Sequence, residues 1–514
     1  MKKEFFAFIF ITILQACLSA NILLLYALYG KSHLLSYVPF LKQLASEGHN
    51  ITIFYADSNK APNFGENIST IQVDLEPNQQ RAEILAKMTW NNVAHGYLFA
   101  LMFYPAIEDF QQLSIYKSDK LSEVLNGNYD LILVDPVITM HGIKIAQMLK
   151  KDKNIPYFIF SSSQFLSFYQ SQIALNWNYA SALSLMTPIP IDNNDQFQPS
   201  KFLNRMISFL EAYSEIFLIN YLTIPYSEFK MPDLKITEFY QKASLIFGDN
   251  IDRLGDPLPV GSDLTIIGSN CVSASGALDS AIPEEIENFI NDPKSNGTIY
   301  IAFGTFAKWD FAPKKIIEAY LEAFKELKEY RIIFAYNGKK ELNVGSNVKI
   351  VSWAPQMAIL THSKTKAFVT HGGLKSLKEA LCSEVPIILM PLLAEQAHNA
   401  KFALKLKIGQ IINKFSITKH QIINSIREVS NNPKYANRIK ALKEQILFRP
   451  IPSLNYGSHK ITKFLRMRTK FGFEKFDLFH EKVFIRKGIQ IGTFAYYCFD
   501  ICIAVFAFIF IILK

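Results

Sequence analysis

The 514-residue sequence predicts an α/β protein with two Rossmann-like domains that face each other across a cleft. Short apolar runs rich in β-branched residues alternate with segments of helical period, a pattern typical of βαβ units and parallel sheets. The chain is too long for one ordinary hydrophobic core. Residues 255–283, rich in proline, glycine, serine and aspartate, divide the runs into two groups and have the composition of a linker.

Each group contains five predicted strands. In the first group they are predicted at residues 22–28, 51–55, 131–134, 157–160 and 245–247. In the second group they are predicted at residues 299–303, 332–335, 348–351, 367–370 and 387–390. Residues 314–330 and 375–382 are predicted helices. Because ligands of parallel sheets bind beyond the carboxyl ends of the strands, functional residues are expected directly after those ends.

The N-terminal residues have the layout of a secretory signal peptide. Lys2 and Lys3 precede an uncharged apolar run at residues 5–14, and small residues follow at Ser19 and Ala20. A basic start, a short apolar run and a cleavage site of small residues predict a signal over residues 1–20.

A second apolar segment lies at the C-terminus. Residues 492–513 contain a single charged side chain, Asp500, and are long enough to cross a hydrocarbon core of ~30 Å. Together with the signal, this segment predicts a single-pass type I membrane protein with lumenal domains. The endoplasmic reticulum is the expected compartment.

The charge distribution argues against nucleic acid as a partner. The net charge is +9, but lysine and arginine are scattered along the chain instead of forming a basic stripe interleaved with aromatic residues. Hydrophobic residues make up 49% of the chain and charged residues 19%, which favours a folded protein with some membrane contact over a disordered one.

Two of the five cysteines, Cys271 and Cys382, fall in the predicted folded body. Because these two lie far apart in the sequence, we expect neither a disulfide framework nor a metal-ligand cluster. Asn50, Asn67 and Asn296 begin N-glycosylation sequons, which can be glycosylated only in a secretory compartment.

The most informative stretch of the sequence spans residues 353–396. A strand ending at Thr370 is followed by His371-Gly-Gly373 and then by a helix. The two glycines let a ligand approach the backbone closely, and the free amides and dipole of the helix N-terminus attract an anion, so this turn is a predicted anion site. Ser376 in the first helical turn can donate to a phosphate. Glu379, one turn later, can accept from ribose hydroxyls, and Trp353 offers a flat face on which a base can stack.

A second pair of polar residues follows two strands of the first group. His33 comes after the first strand and Asp135 after the third, so both are expected at the same edge of the sheet. Imidazole can take a proton from a hydroxyl near neutral pH, and a carboxylate beside it can fix the tautomer and stabilise the charged ring. For His33 alone, a surface or helix-capping role is the favoured interpretation, and the presence of Asp135 at the same edge changes that balance.

These residues resemble the signature of the UDP-glycosyltransferase family, whose members share a two-domain GT-B fold. The similarity is strongest over residues 298–401, and a looser similarity extends over residues 21–452 and includes the turn at Thr305. The C-terminal apolar segment resembles the UDP-glucuronosyltransferase branch. The resemblance implies direct displacement at the anomeric carbon with inversion, with the UDP-sugar as co-substrate and no metal or other cofactor.

The resemblance also implies a role for each matching residue. Trp353 would stack on uracil, while Gln356 and Glu379 would hold the ribose. His371, Gly373 and Ser376 would hold the diphosphate. Glu395 and Gln396 would bind hydroxyls of the donor sugar. His33 and Asp135 match the catalytic pair of the family.

Three positions depart from the family pattern. Lys375 stands where asparagine is common and brings a cation near the phosphates. Glu384 stands where glycine usually ends the helix, at a cost of about 1 kcal/mol if the backbone there is left-handed. Glu395 stands where aspartate is commoner and extends the reach to the sugar by one methylene.

The acceptor is expected to be a small lipophilic molecule. Residues 89–116 and 165–240 are rich in aromatic and aliphatic side chains, some of which should pack in the core and some of which should line an apolar pocket. Sequence leaves open which residues do which.

The resulting organisation has six parts. They are a signal peptide at 1–20, an N-terminal acceptor-binding domain at 21–254, a linker at 255–283, a C-terminal UDP-sugar-binding domain at 284–452, a juxtamembrane segment at 453–491 and a transmembrane helix at 492–513.

The sequence leaves open whether the donor sugar is glucuronic acid or glucose, and whether the protein forms a homo-oligomer. Two other classes remain as alternatives: a UDP-sugar epimerase, which has no evident need of a signal and an anchor, and a non-catalytic UDP-sugar-binding or regulatory subunit, which would not need His33 and Asp135.

Overall fold

The computed structural model describes most of the chain. The described residues are 19–26, 31–56, 60–74, 79–91, 118–136, 139–175, 178–183, 197–231, 233–252, 261–272, 281–305, 307–393 and 395–513. All but the last two residues of the predicted signal, together with residues 92–116 of the first aromatic-rich region, lie outside these ranges.

The first sheet has seven parallel strands in the order β3-β2-β1-β4-β5-β6-β7. The strands are β1 (Asn21–Leu25), β2 (Asn50–Ala56), β3 (Ile68–Val73), β4 (Leu131–Val134), β5 (Tyr157–Ser161), β6 (Ile246–Gly248) and β7 (Leu264–Ile266). The helices are α1 (Lys31–Ser46), α2 (Gln79–Asn91), α3 (Lys120–Asn126), α4 (Met140–Lys153), α5 (Ser167–Gln172), α6 (Phe202–Leu218), α7 (Ile224–Lys230) and α8 (Ile236–Lys242), with one π-helical turn, Ile219–Thr223, joining α6 to α7.

The second sheet has six parallel strands in the order β10-β9-β8-β11-β12-β13. Its strands are β8 (Thr298–Ala302), β9 (Arg331–Ala335), β10 (Val348–Val351), β11 (Thr365–Thr370), β12 (Ile387–Leu389) and β13 (Gly409–Ile411). Its helices are α9 (Glu284–Ile290), α10 (Lys314–Glu326), α11 (Gln356–Thr361), α12 (Leu374–Cys382), α13 (Gln396–Lys405), α14 (Lys419–Asn431) and α15 (Pro433–Leu447), with a 3-10 turn at Trp309–Phe311. The predicted fold, two α/β domains with parallel Rossmann-like sheets, is confirmed.

Each sheet is covered on both faces, which explains why its strands are continuous apolar runs. In β1, Leu23 and Leu25 belong to the core on one face, whereas Ile22 and Leu24 belong to the core on the other. β8 shows the same alternation, with Ile299 and Ile301 on one side and Tyr300 on the other. Since successive side chains of a strand point to opposite faces, a strand buried on both faces is apolar at every position.

Three strands were not predicted. β3 alternates exposed or half-buried residues with buried ones, and β7 and β13 have only three residues each. β3, β7 and β13 are edge strands, where the apolar signal is weak because one side of the strand has no neighbour. β7 also lies inside the stretch 255–283 that was predicted to be a linker.

The chain returns to the first sheet after the second domain. Helices α16 (Ser453–Phe471) and α17 (Phe473–Phe484) occupy the predicted juxtamembrane segment, and Leu454, Ile461 and Phe464 pack into the core of the first sheet. The Ser453 Oγ atom lies 2.9 Å from the carbonyl oxygens of both Ile267 and Ser269, and its hydroxyl can donate to either. The segment is therefore a structural part of the first domain in the described fold.

The C-terminal apolar segment forms two helices. A 3-10 turn at Lys487–Gln490 precedes α18 (Thr493–Tyr496), and α19 (Phe499–Ile512) begins after Cys498, whose φ of 58° interrupts the helix. Among the residues described, no helix is both long and apolar enough to span a bilayer.

The expectation that Cys271 and Cys382 do not pair is wrong. They form a disulfide with a Cα–Cα distance of 5.5 Å across 111 residues of sequence. Sequence separation is a poor guide here, because the end of α12 packs against the segment that follows β7. The bond joins the stretch between the two domains to the helix that carries Ser376 and Glu379.

Candidate active site

The topology of each sheet fixes where its functional edge lies. In the first sheet the chain runs outward from β1 to β3 and then restarts at β4 on the other side of β1. In the second sheet it runs from β8 to β10 and restarts at β11 beside β8. The crevice beyond the carboxyl ends at such a switch point is where parallel sheets bind ligands. The segments after β1, β4, β8 and β11 are therefore the candidate site.

His33, Asp135 and Ser162 form one polar group at the first switch point. His33 lies in the first turn of α1 with 27% of its side chain exposed, whereas the Asp135 side chain, directly after β4, is fully buried. The His33 Nδ1 atom lies 2.6 Å from the Ser162 Oγ atom and 3.4 Å from Asp135 Oδ2. The Ser162 hydroxyl donates to Asp135 Oδ2 at 2.6 Å. The structure thus brings the two predicted residues together, with a serine between them.

The surroundings favour the protonated form of His33. Burial lowers the pKa of this imidazole, but the nearby Asp135 carboxylate and the charge of Glu395 outweigh burial, so that the pKa lies above its ordinary value of 6.5. Glu395 belongs to the second domain. A carboxylate of the second domain therefore acts on the imidazole of the first.

His371 occupies a niche lined by glycine at the second switch point. A Cβ atom added to Gly304 would lie 3.0 Å from His371 Cε1, and one added to Gly373 would lie 2.7 Å from Nε2. Gly304 and Gly372 also have φ angles of +70° and +87°, which favour glycine. Burial lowers the pKa of His371 to about 4, so this ring is neutral at pH 7 and offers a ligand a hydrogen bond and no charge.

The N-terminus of α12 follows this niche. Gly373 is its N-cap residue and provides no side-chain cap, so the first backbone amides of the helix point towards the turn. Ser376 is buried in the first turn, and Lys375 beside it is half-buried. Thr305, after β8, is exposed at the neighbouring strand end. Such a helix end is suited to bind an anion.

The predicted nucleoside-binding residues come from two segments, α12 and the loop and helix that follow β10. Gln356, the first residue of α11, donates a short hydrogen bond from Nε2 to Glu379 Oε2 of α12. Trp353, in the loop after β10, is 58% exposed. A tryptophan so exposed has an apolar face that is available to a planar ligand.

Glu395 and Gln396 begin α13 on the other side of the niche. Burial raises the pKa of Glu395, although backbone hydrogen bonds and the charge of His33 act against the shift. The Gln396 Oε1 atom accepts from the backbone amides of Leu392 and Leu393 at 2.9 and 3.0 Å. Its Nε2 group is therefore the part that can donate to a ligand.

Several polar contacts join the two domains around the cleft. Lys378 of α12 pairs with Asp249 after β6 at 3.3 Å, and both side chains are largely buried. The Gln164 side chain donates to Asn399 Oδ1 at 2.9 Å. These contacts connect the segments at the carboxyl ends of the two sheets across the cleft.

Sequence reasoning missed Ser162, Asp249 and Lys378. The first two follow β5 and β6 directly, so the rule that pointed to His33 and Asp135 could also have found them. Lys378 carries no such signal, because a lysine in an amphipathic helix usually faces solvent.

The aromatic-rich regions, whose division the sequence left open, contain both core residues and exposed ones. Trp90, at the end of α2, packs in the core of the second domain against Trp309 with ring centroids 4.9 Å apart, and its Nε1 donates to the carbonyl of Lys308. Phe168 and Tyr169 are core residues of the first domain. Apolar residues of α6 are exposed instead, among them Phe202, Phe209 and Phe217.

A helix N-terminus and an exposed tryptophan at one switch point, with an imidazole and a carboxylate at the other, are the arrangement expected of a two-domain glycosyltransferase that uses a nucleotide-sugar donor. The family model "UDP-glucoronosyl and UDP-glucosyl transferase" matches residues 22–468, and the chain belongs to this family. The expected family and class of enzyme are therefore confirmed.

The relatives of the chain include UDP-glycosyltransferase UGT5 of Dactylopius coccus, 24% identical over 88% of this chain and 84% of that protein. Human UDP-glucuronosyltransferase 1A1 is 24% identical over 82% of this chain and 79% of its own length. Human 2-hydroxyacylsphingosine 1-beta-galactosyltransferase is 22% identical over 83% of this chain and 76% of its own. The chain is similar to enzymes whose names cite different sugars.

Solved structures share the fold. A UDP-glucosyltransferase from Polygonum tinctorium, capable of glucosylating indoxyl and bound to 3,4-dichloroaniline, superposes with a TM-score of 0.54 at 16% identity over 87% of this chain and 99% of that one. A variant of Os79 from O. sativa in complex with UDP gives a TM-score of 0.59 at 15% identity over 86% of this chain and all of the other. This likeness identifies the fold as GT-B-like.

Proposed function

We propose that this glycosyltransferase moves glucuronic acid or glucose from UDP to a hydroxyl of a small lipophilic acceptor, with inversion and with His33 as general base. The observation that carries the proposal is the polar group that His33 forms with Ser162 and Asp135 beyond the carboxyl ends of the first sheet. The charge of Glu395, from the second domain, also acts on His33. An acceptor hydroxyl bound beside His33 would then face the residues expected to hold the donor sugar.

The donor fits the second switch point. Uracil stacks on the exposed face of Trp353, and the ribose hydroxyls donate to Glu379, which Gln356 orients. The diphosphate lies at the N-terminus of α12, where backbone amides, Ser376, Gly373 and neutral His371 donate to it. The positive end of the helix and Lys375 offset its charge, and Thr305 lies at the adjoining strand end.

The sugar lies between the two domains. Glu395 accepts from its hydroxyls, and the Gln396 amide group donates to one of them, since its oxygen is taken by the backbone. We propose that no metal takes part, because amides, Lys375 and the helix end supply the stabilisation that the departing diphosphate requires.

Transfer is a single displacement. The acceptor O–H proton passes to His33 Nε2 while the oxygen forms a bond to the anomeric carbon. The bond from that carbon to the β-phosphate oxygen breaks, and UDP keeps the electron pair. Because attack comes from the face opposite UDP, the configuration inverts. Asp135 stabilises the imidazolium that forms.

The donor sugar is decided by direct incubation. Purified full-length chain is mixed with UDP-glucuronic acid or UDP-glucose and a panel of phenols and steroids, and the products are identified by mass spectrometry. Glycoside formation with either donor supports the proposal and identifies the sugar. Binding of UDP without glycoside from any donor would instead favour a non-catalytic UDP-sugar-binding subunit.

We further propose that the enzyme is lumenal and held at the membrane of the endoplasmic reticulum by its C-terminal segment. Every described residue of α19 is exposed, and the helix begins beside the exposed apolar face of α6, where the Tyr213 and Tyr497 rings lie 5.1 Å apart. The disulfide between Cys271 and Cys382 suits an oxidising compartment. The sequon residues Asn67 and Asn296 are exposed and available to glycosylation.

Deleting everything after Gln490 tests the anchor. The truncated chain keeps Ile485 and Ile489, which pack against Ala174, so the first domain should stay folded. We expect it to be released from carbonate-washed membranes, whereas the full-length chain is retained. A truncated chain that stays bound would show that another surface, of which the exposed face of α6 is the first candidate, makes the main contact.

A further inference from the structure

The link between His33 and Asp135 passes through a third side chain. The two distances from the Ser162 Oγ atom, to His33 Nδ1 and to Asp135 Oδ2, are both 2.6 Å. The direct distance from Nδ1 to Oδ2 is 3.4 Å, beyond the ordinary range of an N–H···O hydrogen bond. Ser162 is 6% exposed, so bulk water does not take the place of its hydroxyl between His33 and Asp135.

Counting protons fixes the direction of each hydrogen bond. A serine hydroxyl has one proton and can accept with its lone pairs, and an ionised carboxylate only accepts. The Ser162 proton is donated to Asp135. The short contact to His33 Nδ1 therefore needs the proton on Nδ1, which leaves the lone pair of the neutral ring on Nε2.

We propose that Ser162 is a positioning residue that holds His33 in the tautomer with Nε2 as the base and couples Asp135 to the imidazole. The inference rests on the proposed function, in which Nε2 takes the acceptor proton. Asp135 then acts on the imidazole through Ser162. The acid–base group therefore consists of His33, Ser162 and Asp135, and not of His33 and Asp135 alone.

The proton balance supports this arrangement. When Nε2 takes the acceptor proton, the ring becomes a cation that still donates from Nδ1 to Ser162, and Ser162 still donates to Asp135. No proton has to cross the serine. The positive charge on the ring is stabilised by the carboxylate through a polarised hydrogen-bond pair.

Other ionisable groups also face this unit. Tyr37 of α1 lies close to Asp135 and Ser162, and burial followed by the Asp135 charge raises its pKa well above the ordinary value, so that it stays neutral. Its hydroxyl donates its one proton to the carbonyl of Phe160 at 2.9 Å. Glu395 faces His33 from the second domain. A pH measurement on His33 therefore has to compare variants that leave Tyr37, Asp135 and Glu395 in place.

The first test compares turnover in three variants. Ser162→Ala removes the hydroxyl, Ser162→Thr keeps it, and Ser163→Ala removes a neighbouring hydroxyl that donates to the carbonyl of Gln164 at 3.1 Å. We expect Ser162→Ala to lower kcat by roughly 10-fold or more with the KM for the UDP-sugar unchanged, because base catalysis contributes ~10²-fold or more and is only partly lost. Ser162→Thr should retain most of the turnover, and Ser163→Ala should match the wild type.

The second test measures His33 without using activity. Diethyl pyrocarbonate acylates only unprotonated imidazole, so the rate of His33 modification against pH, read by peptide mass spectrometry, gives the midpoint of its titration. In Ser162→Ala the imidazolium loses its hydrogen-bond acceptor, so the midpoint should move to lower pH. Ser162→Thr should restore it. Should the alanine variant fold poorly, Ser162→Cys, whose thiol is a weak acceptor, should give a shift in the same direction.

The two tests separate the outcomes. An Ser162→Ala protein with the wild-type midpoint would overturn the proposal, whether turnover is kept or lost, since His33 would then contact Asp135 directly or the serine would serve folding alone. If the wild type forms no glycoside with any donor, the proposed function fails. The midpoints of wild type and Ser162→Ala would still decide whether Ser162 couples the pair.

Discussion

Breaking the disulfide between Cys271 and Cys382 should destabilise the second domain strongly. The bond closes a loop of 111 residues, and a loop of about 100 residues corresponds to roughly 4.7 kcal/mol of stabilisation from the lost chain entropy of the unfolded state. A domain is stable by about 5–15 kcal/mol in total, so this is a large share. With an m value of about 3 kcal/mol/M, the urea midpoint should fall by about 1.5 M.

Tryptophan fluorescence can follow this unfolding, because Trp90 and Trp309 are buried together in the second domain. Cys271→Ser, Cys382→Ser and the double variant should lose the same stability, since either change breaks the bond. Serine at Cys498 or Cys502, which are exposed free thiols, is the matched control and should change nothing. Losses that add in the double variant, or a double variant as stable as the wild type, would refute the reasoning.

Three further results are expected. Trp353→Ala should weaken UDP binding by about 1–3 kcal/mol, the range for a lost base–aromatic stack, as measured by calorimetry. Glu379→Gln should weaken UDP more than pyrophosphate, whereas equal losses would mean that Glu379 only supports the loop through Gln356. Burial lowers the pKa of His398 to about 3, so below pH 6.5 the unfolded state binds the extra proton and stability is lost as the pH falls. At pH 5 this amounts to about 2 kcal/mol, and His398→Gln should show a smaller drop in Tm between pH 7 and pH 5 than the wild type.

The sequence predicted the secondary structure best where every residue of a segment has to meet the same requirement, such as burial. The central strands of both sheets are buried on both faces, so their apolar runs were visible. Edge strands such as β3 and β13 lack that requirement and were missed. The departure at Glu384 was also predictable: its φ is +60°, as the expected left-handed position requires, and an ion pair with Lys443 at 2.9 Å accompanies it.

Contacts between distant segments were not predictable in the same way. Nothing local to Cys382 shows that it meets Cys271, and nothing local to Trp90 shows that it packs in the second domain. Because His33 and Asp135 each follow a strand end, the sequence predicted that they would approach each other. It did not predict that Ser162, which follows β5, would lie between them. The identity of such a bridging residue follows only from the assembled sheet.

The most direct test of the central claim joins product stereochemistry to the proposed base. UDP-hexoses carry the sugar in the α configuration, and the product formed with a simple aliphatic alcohol can be assigned by proton NMR. Transfer with inversion gives a β-glycoside, and His33→Ala should lose turnover by roughly 10²-fold or more with UDP affinity unchanged, since the donor contacts lie in the other domain. Transfer to an acidic phenol, which needs less help to lose its proton, should fall less. An α-glycoside would mean that the transfer does not invert, and near-normal turnover of the alcohol by His33→Ala would mean that His33 is not the base.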